Sequence, residues 1–254
     1  MIELLPTIQQ KRIFRKSDVV ELIGDKRRAE VLLLTYQKRG YIQKIRRNLY
    51  CVLNLATGLP EVSRYEVACA IQSDAYIAYH TALEYHGLAH QFWYDVQVAA
   101  ARPFVRFEHA ECSFVYVSSK TMYGIDEPRF DRGVRVTNIE RTIIDCISHM
   151  DLAGGAEEFK HCMEGVRKLR SSELMNVLKA YNSPVVYQKV GCVLALLSLS
   201  IDDPDLVLHL CRSNAGSAVN FLTNRDDSTV YQGKWKLYVP ECLTSQSSIS
   251  YDIV

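Results

Sequence analysis

Three groups of side chains in this 254-residue sequence have types and spacings that could do chemistry. The first is His80, His86 and His90. Imidazole is a common transition-metal ligand. On a helix, though, His80 and His86 fall about 240° apart around the axis. No second cluster supplies the remaining ligands of a closed site, so these histidines read as hydrogen-bonding core residues and no metal is expected. The second group is Glu140, Arg141 and Asp145. Thr137 and Glu140 have the spacing of a capping box, and Arg141 and Asp145 form an i, i+4 pair, so structural duties account for all three. The third is a carboxylate set for a metal-dependent nuclease. Asp95 lies in a strand-like run, but Glu108 and Glu111 lack a lysine two residues on, and Glu158-Phe159-Lys160 falls in a helical pattern. There is no GxGxxG, P-loop or GxSxG segment, so no cofactor is expected and an enzyme would lack named residues. Phe92-Trp93-Tyr94 could stack on bases, but core packing is the expectation for so dense an aromatic group.

What remains is charge. Residues 1–56 hold twelve Lys/Arg against five Asp/Glu, a net of +7, while the other 198 hold 18 against 24, a net of −6. The whole chain is only +1, so a balanced total hides two segments of opposite sign. The basic segment can collect at a polyanion and the acidic one should avoid it. The basic residues also cluster. Lys26, Arg27 and Arg28 open one helical pattern, with Thr35 and Lys38 further along its solvent side; Lys44, Arg46 and Arg47 sit around a hairpin turn; Arg15 and Lys16, with Arg12, precede the second helix. In a DNA-binding reading, the first turn of that helix meets base edges and phosphates in the major groove. The hairpin then reaches the minor groove or backbone, and Arg12, Arg15 and Lys16 hold phosphates. A merely solubilising face is the alternative; clustering at a helix start and a hairpin tip together favours DNA.

The elements that must position these residues are legible. A helix is expected over roughly Glu3 to Gln10. Ser17 caps a second, Asp18 to Ile23, ended by Gly24. Asp25 caps a third, Lys26 to Lys38, in which Ala29, Leu32, Leu33 and Tyr36 share one face. Strands Tyr41 to Ile45 and Asn48 to Val52 follow, with Arg46-Arg47 between them. Residues 1–56 thus predict a winged helix-turn-helix. Asn54 to Pro60 reads as a linker to a larger mixed α/β domain over 61–254, an α+β protein as a whole. There, helices are expected at Glu61 to Gln72, Ala75 to His86, Thr137 to His149, Ala156 to Leu169, Ser172 to Ala180 and Pro184 to Leu199. Strands are expected at Phe92 to Ala99, Val105 to Phe107, Cys112 to Val117, Val134 to Val136, Val219 to Leu222 and Lys236 to Val239.

Eight cysteines without a CxxC pair, mostly inside apolar runs, suit reduced core thiols. The opening MIELLPTIQQK has no apolar stretch of signal-peptide length. The longest apolar run, Val190 to Leu199, is half the ~20 residues of a membrane span. A cytoplasmic protein with no membrane partner is the expectation.

Lys38-Arg39-Gly40-Tyr41…Arg46-Arg47-Asn48-Leu49-Tyr50 resembles the R-G-Y…R-x-x-x-Y wing of the AbiEi antitoxin family of type IV abortive-infection toxin–antitoxin systems. Ala75 to Leu88, ending His86-Gly87-Leu88, is similar to that family's H-G-L helix, and Val136 to Asp145 to its V-T-x-x-E-R-T-I-I-D segment. The Gln188 to Leu199 helix and the Trp235-Lys236-Leu237 strand stand in corresponding places, so the likeness runs along nearly the whole chain. It implies a repressor–antitoxin that binds inverted repeats in double-stranded promoter DNA, represses its own operon and counters a nucleotidyltransferase-like toxin through its C-terminal domain. C-terminal acids such as Asp126, Glu127, Glu157 and Glu158 are then the better candidates for the toxin-facing surface, since a basic toxin would be attracted to the −6 segment. The competing classes are a one-component regulator with a ligand-sensing C-terminal domain and a DNA-targeted nuclease.

Overall fold

The computed structural model describes residues 5–131 and 133–245; Glu3, where the first helix was expected to begin, lies outside them. The architecture is α+β, with separate helical and β-sheet regions. Contacts divide it into two compact units. Unit 1 holds residues 1–77, 94–118 and 127–135; unit 2 holds 78–93, 119–126 and 136–254. By sequence, unit 1 carries 18 basic and 13 acidic residues and unit 2 carries 12 and 16, so the opposite signs persist at +5 and −4.

Unit 1 begins with α1 (Leu5–Lys11), β1 (Ile13–Arg15), α2 (Lys16–Ile23), α3 (Lys26–Lys38), β2 (Ile42–Arg46) and β3 (Leu49–Val52). β1 is a strand the sequence reading missed. At three residues it is too short to show alternation, and only its partner reveals it: it pairs antiparallel with β3, giving the order β1-β3-β2. Phe14 stands opposite Tyr50 across that pair, with the rings stacked at 5.8 Å. α2 starts earlier than Ser17 suggested. Arg15 is its N-cap, and the Arg15 backbone N–H donates to Asp18 at 3.0 Å. Ala29, Leu32, Leu33 and Tyr36 of α3 are buried with Ile8, Phe14, Val19, Ile42, Tyr50 and Val52 in one core. A bulge at Ile45 shifts the β2–β3 register, which leaves both Gln43 and Lys44 exposed and Ile45 buried.

Asn54 to Pro60 forms a closed turn: the Asn54 N–H donates to the Leu59 carbonyl, the Gly58 N–H to the Asn54 carbonyl, and Leu53 bridges Pro60. Next come α4 (Arg64–Ala70), capped by Ser63, then β4 (Tyr76–Ile77), β5 (Asp95–Ala99), β6 (Phe107–His109) and β7 (Cys112–Val117). They order as β6-β7-β5-β4, with β5 and β7 parallel and the other pairs antiparallel. The helix expected from Ala75 begins only at Tyr79. Tyr76 and Ile77 pair with Ala99 and Val98, so aromatic and β-branched side chains took the sheet.

Unit 2 contains α5 (Tyr79–Tyr85), the antiparallel pair β8 (Ile125–Asp126) and β9 (Val136–Thr137), α6 (Ile139–Ser148), α7 (Gly155–Glu164), α8 (Ser171–Tyr181), α9 (Pro184–Leu197) and α10 (Pro204–Asn214). A small sheet follows: β10 (Asn220–Phe221), β11 (Val230–Gln232) and β12 (Leu237–Val239), in the order β10-β12-β11. α10 went unread in the sequence although its start signal was present: Asp203 caps it and Pro204 opens it. The buried Gln188 on α9 donates to Trp235 at 2.6 Å and to Lys236 and Ala218 at 3.0 Å, tying α9 to the small sheet. Three residues on, Gly191 leaves room for the Trp235 ring. A Cβ there would run into that ring and lie 2.8 Å from Cys211 Cβ.

Gly191→Ala is therefore expected to destabilise the protein by about 1–3 kcal/mol through overpacking. Thermal unfolding checks this, and an unchanged Tm would contradict the packing described.

Candidate nucleic-acid interface

The candidate site is built by the rotation of α3. Gly24 sits in the left-handed region at φ 74°, and its N–H donates to Val20 at 2.7 Å, closing α2. Asp25 then accepts the Arg28 N–H at 2.8 Å and starts α3. Since Ala29, Leu32, Leu33 and Tyr36 point into the core, Lys26, Arg27, Arg28 and Lys38 are left exposed. Thr35 is half-buried, and its hydroxyl donates to the Val31 carbonyl at 2.8 Å. Val31 and Leu34 are also exposed on α3, where aliphatic side chains carry no sequence signal that separates a contact surface from core. On the hairpin, Lys44 is exposed on β2, and Arg47 is exposed at the two-residue turn with Asn48, at φ 64°.

Arg12, Arg15, Lys16 and Arg46 are engaged within unit 1. Arg46 is not a second tip residue: it belongs to β2, and its guanidinium lies 4.8 Å from the Phe107 ring centre and 5.6 Å from that of Phe104. Burial, then the charge of Arg15, lowers its pKa, though arginine stays cationic in proteins. Arg15 donates to the Ala70 carbonyl at 2.7 Å. Lys16 pairs with Glu30, and the hydrogen bond and charge of Lys16 hold that carboxyl below its ordinary value. Arg12 pairs with Glu66 at 3.2 Å. Six exposed cations thus lie on α3 and the hairpin, while Arg12, Arg15, Lys16 and Arg46 have partners inside the unit.

The remaining candidates form two buried polar clusters in unit 2. His80 stacks on Trp93, ring centres 4.2 Å apart, and lies 3.3 Å from Glu158. Glu158 also accepts the backbone N–H groups of His90 and Gln91 at 3.0 and 3.1 Å. Burial raises its pKa, but these bonds outweigh that and the net shift is downward. A carboxylate so enclosed is not a toxin-facing residue; Asp126 and Glu157 are exposed, and Glu127, also exposed, belongs to unit 1. His86 lies 2.7 Å from the Thr137 carbonyl, to which its ring N–H can donate. The aromatic triplet divides: Phe92 and Tyr94 are exposed, and Trp93 stacks on His80.

The Thr137–Glu140 capping box is absent. Asn138 caps α6 by accepting the Arg141 N–H at 2.9 Å, while Glu140 turns to Arg170, accepting from its backbone N–H and Nε at 3.0 Å and from Nη2 at 3.2 Å. An amide side chain one residue nearer the helix was the better cap. Arg141 and Asp145 do pair, Nε to Oδ2 at 3.3 Å, but both are fully buried. Arg141 also donates to Tyr123 O at 2.5 Å and Ser119 Oγ at 2.7 Å, and the Tyr181 hydroxyl donates to Asp145. Burial raises the Asp145 pKa against the pull of Arg141 and Tyr181. Removing one member of a buried pair typically destabilises by about 3–5 kcal/mol, so this is a core element rather than a surface helix pair.

Among the described residues, no three His, Cys, Asp or Glu side chains are grouped to hold a metal ion. Asp95 is engaged with Arg106 at 2.9 Å, and Lys160 donates to the carbonyls of Cys242 and Ser245. All eight cysteines are free thiols, seven of them buried; burial pushes Cys51 and Cys69 up to about 11 and Cys162, Cys192 and Cys211 up to about 12. No described helix is long and apolar enough to cross a membrane.

No protein-family model matches the sequence, and no curated protein matches it. Among solved structures, the crystal structure of RV2827C protein from Mycobacterium tuberculosis is similar, with a TM-score of 0.62 over 93% of this chain and 89% of that one. At 10% identity the likeness concerns the fold.

Two predictions follow from these contacts. Arg46→Ala should destabilise unit 1 by about 0.5–2 kcal/mol through loss of the aromatic contact, measured by denaturant unfolding, whereas Arg47→Ala should leave stability unchanged. Glu140→Gln should destabilise by about 1–3 kcal/mol near neutral pH. Burial raises the Glu140 pKa, but the Arg170 bonds win and the folded value lies below 4.5. The contribution is therefore present above the unfolded value and lost as pH falls through the folded one. The gap between wild type and Glu140→Gln should narrow below about pH 4.5. A gap independent of pH would contradict the pairing.

Proposed function

We propose that the α1–β3 module is a winged helix that binds duplex DNA, and that the protein is a cytoplasmic, non-enzymatic repressor–antitoxin of the AbiEi type. One observation carries the DNA-binding reading. Lys26, Arg27, Arg28 and Lys38 on α3, with Lys44 and Arg47 on the hairpin, are exposed together, while the acids nearest in sequence are engaged: Asp25 as a cap and Glu30 with Lys16. A helix presented this way fits a major groove about 12 Å wide. The hairpin turn supplies a single arginine, Arg47, to the backbone or minor groove.

The antitoxin part rests on the sequence resemblance. Two of the segments that carry it, 75–88 and 136–145, are largely buried, so they speak to a shared core more than to a shared contact surface. The charge balance of the units supports a division of labour: unit 1 at +5 suits DNA, and unit 2 at −4 suits a basic partner. In this reading a nucleotidyltransferase-like toxin meets unit 2, and inverted repeats in the protein's own promoter meet α3. The alternative of a ligand-sensing regulator has one observation in its favour. A cleft of about 730 Å³ in unit 2 is lined by His149, Asp151, Gly154, Lys189, Asn224 and Asp227 among others. A small-molecule effector that released the protein from its operator would support it.

Replacing Lys26, Arg27 and Arg28 with alanine should abolish repression of a promoter reporter and weaken duplex binding at least tenfold. Protection against a co-expressed cognate toxin should be retained. Loss of protection by a folded, abundant triple variant would show that the DNA-binding module itself takes part in neutralisation.

A further inference from the structure

Along α3, Arg27, Val31, Leu34 and Lys38 are spaced four, three and four residues apart. At 100° per residue they form one outward line, opposite the buried Ala29, Leu32, Leu33 and Tyr36. Both ends of the line are cationic and its middle is aliphatic: Val31 is 62% exposed and Leu34 58%. Scattered exposed aliphatics are ordinary. Two adjacent ones flanked by five exposed cations are not explained by solubility.

The surroundings select the occupant. Lys26, Arg27, Arg28, Lys38 and Arg39 are all exposed around the pair, and Glu30 is engaged by Lys16. A second copy of this chain placed face to face would bring like charges together. A polyanion bearing apolar marks fits instead. In the DNA major groove the one apolar mark is the C5-methyl group of thymine. Duplex RNA offers neither the methyl group nor an accessible major groove. Val31 and Leu34 are separated by about 4.5 Å along the helix axis, close to the ~3.4 Å spacing of successive bases. The Thr35 hydroxyl has committed its proton to the Val31 carbonyl, so towards DNA it can only accept, as from the amino group of adenine or cytosine.

We infer that Val31 and Leu34 are specificity residues that read thymine methyl groups on neighbouring base pairs, with Arg27 and Lys38 anchoring the line at its ends. This rests on the DNA-binding reading above. Affinity comes from the cations, and base preference at the centre of the contacted site comes from two aliphatic contacts. The preferred sites therefore carry thymines at two adjacent major-groove positions.

The test uses the full chain. Duplexes are selected from a random-sequence library, and each thymine of the winning site is then replaced by deoxyuridine, which removes only the methyl group. Two adjacent replacements should each weaken binding about fourfold, the worth of one buried methyl-sized group. Val31→Ala with Leu34→Ala should bind unsubstituted and deoxyuridine duplexes equally, with the salt dependence of wild type. Alanine is the strongest helix former, so α3 should persist, and Tm checks that it does. Specific binding that ignores every deoxyuridine replacement would overturn the inference while leaving DNA binding in place. Absence of DNA binding altogether would overturn the DNA-binding reading and this inference with it. A double variant that dissolves an oligomer of the wild type, with methyl sensitivity unchanged, would assign the face to self-association and likewise overturn it.

Discussion

The burial of one face of α3 is the constraint on which the candidate interface depends. Ala29, Leu32, Leu33 and Tyr36 are each at most 6% exposed and pack with Phe14, Val19, Ile42, Tyr50 and Val52. Burying such side chains is worth roughly 1.5–3 kcal/mol for each large one. Rotating the helix by one residue position would turn Leu33 towards water and Arg28 towards the core in one sense, or Leu32 towards water and Glu30 towards the core in the other, a far larger penalty than any surface charge arrangement could repay. The outward line of cations and aliphatics is thus fixed by the core behind it. Gly24 and Asp25 set where that line begins.

A second constraint holds the hairpin. Arg46 is spent on Phe104 and Phe107, whose rings belong to a cluster with Phe114 and Tyr116 from the same unit. The tip is left with Arg47 as its one exposed arginine. Unit 2 uses its charges differently, with Arg141, Asp145, Glu140 and Glu158 in buried pairs and networks. Four ionic side chains of unit 2 are thus held in its interior, whereas α3 and the hairpin of unit 1 carry six exposed cations.

Much of the first module was legible in the sequence, because α3 is thirteen residues long with a strict apolar face and an Asp cap, and such periodicity needs no tertiary information. β1 was not legible: three residues carry no period, and the strand exists because β3 accepts it. The same holds for Tyr76 and Ile77, which local pattern assigned to a helix and the sheet claimed. Glu140 was misread for a related reason. A capping box is a local signal, whereas Arg170 is thirty residues away in sequence. The basic residues of the candidate interface were legible as a set, but which of them stay exposed was not. The partners of Arg15, Lys16 and Arg46 are Ala70, Glu30, Phe104 and Phe107, brought near only by the fold.

The salt dependence of duplex binding tests the central claim most directly. Six exposed cations on α3 and the hairpin, at about 0.9 each on B-DNA, predict a slope of log affinity against log salt near −5 for a protomer that engages them all. Titrating the full chain onto labelled duplex between about 50 and 200 mM salt would give that slope. A value near −5 is what the structure predicts. A slope near zero, or no binding at the lowest salt, would contradict the account.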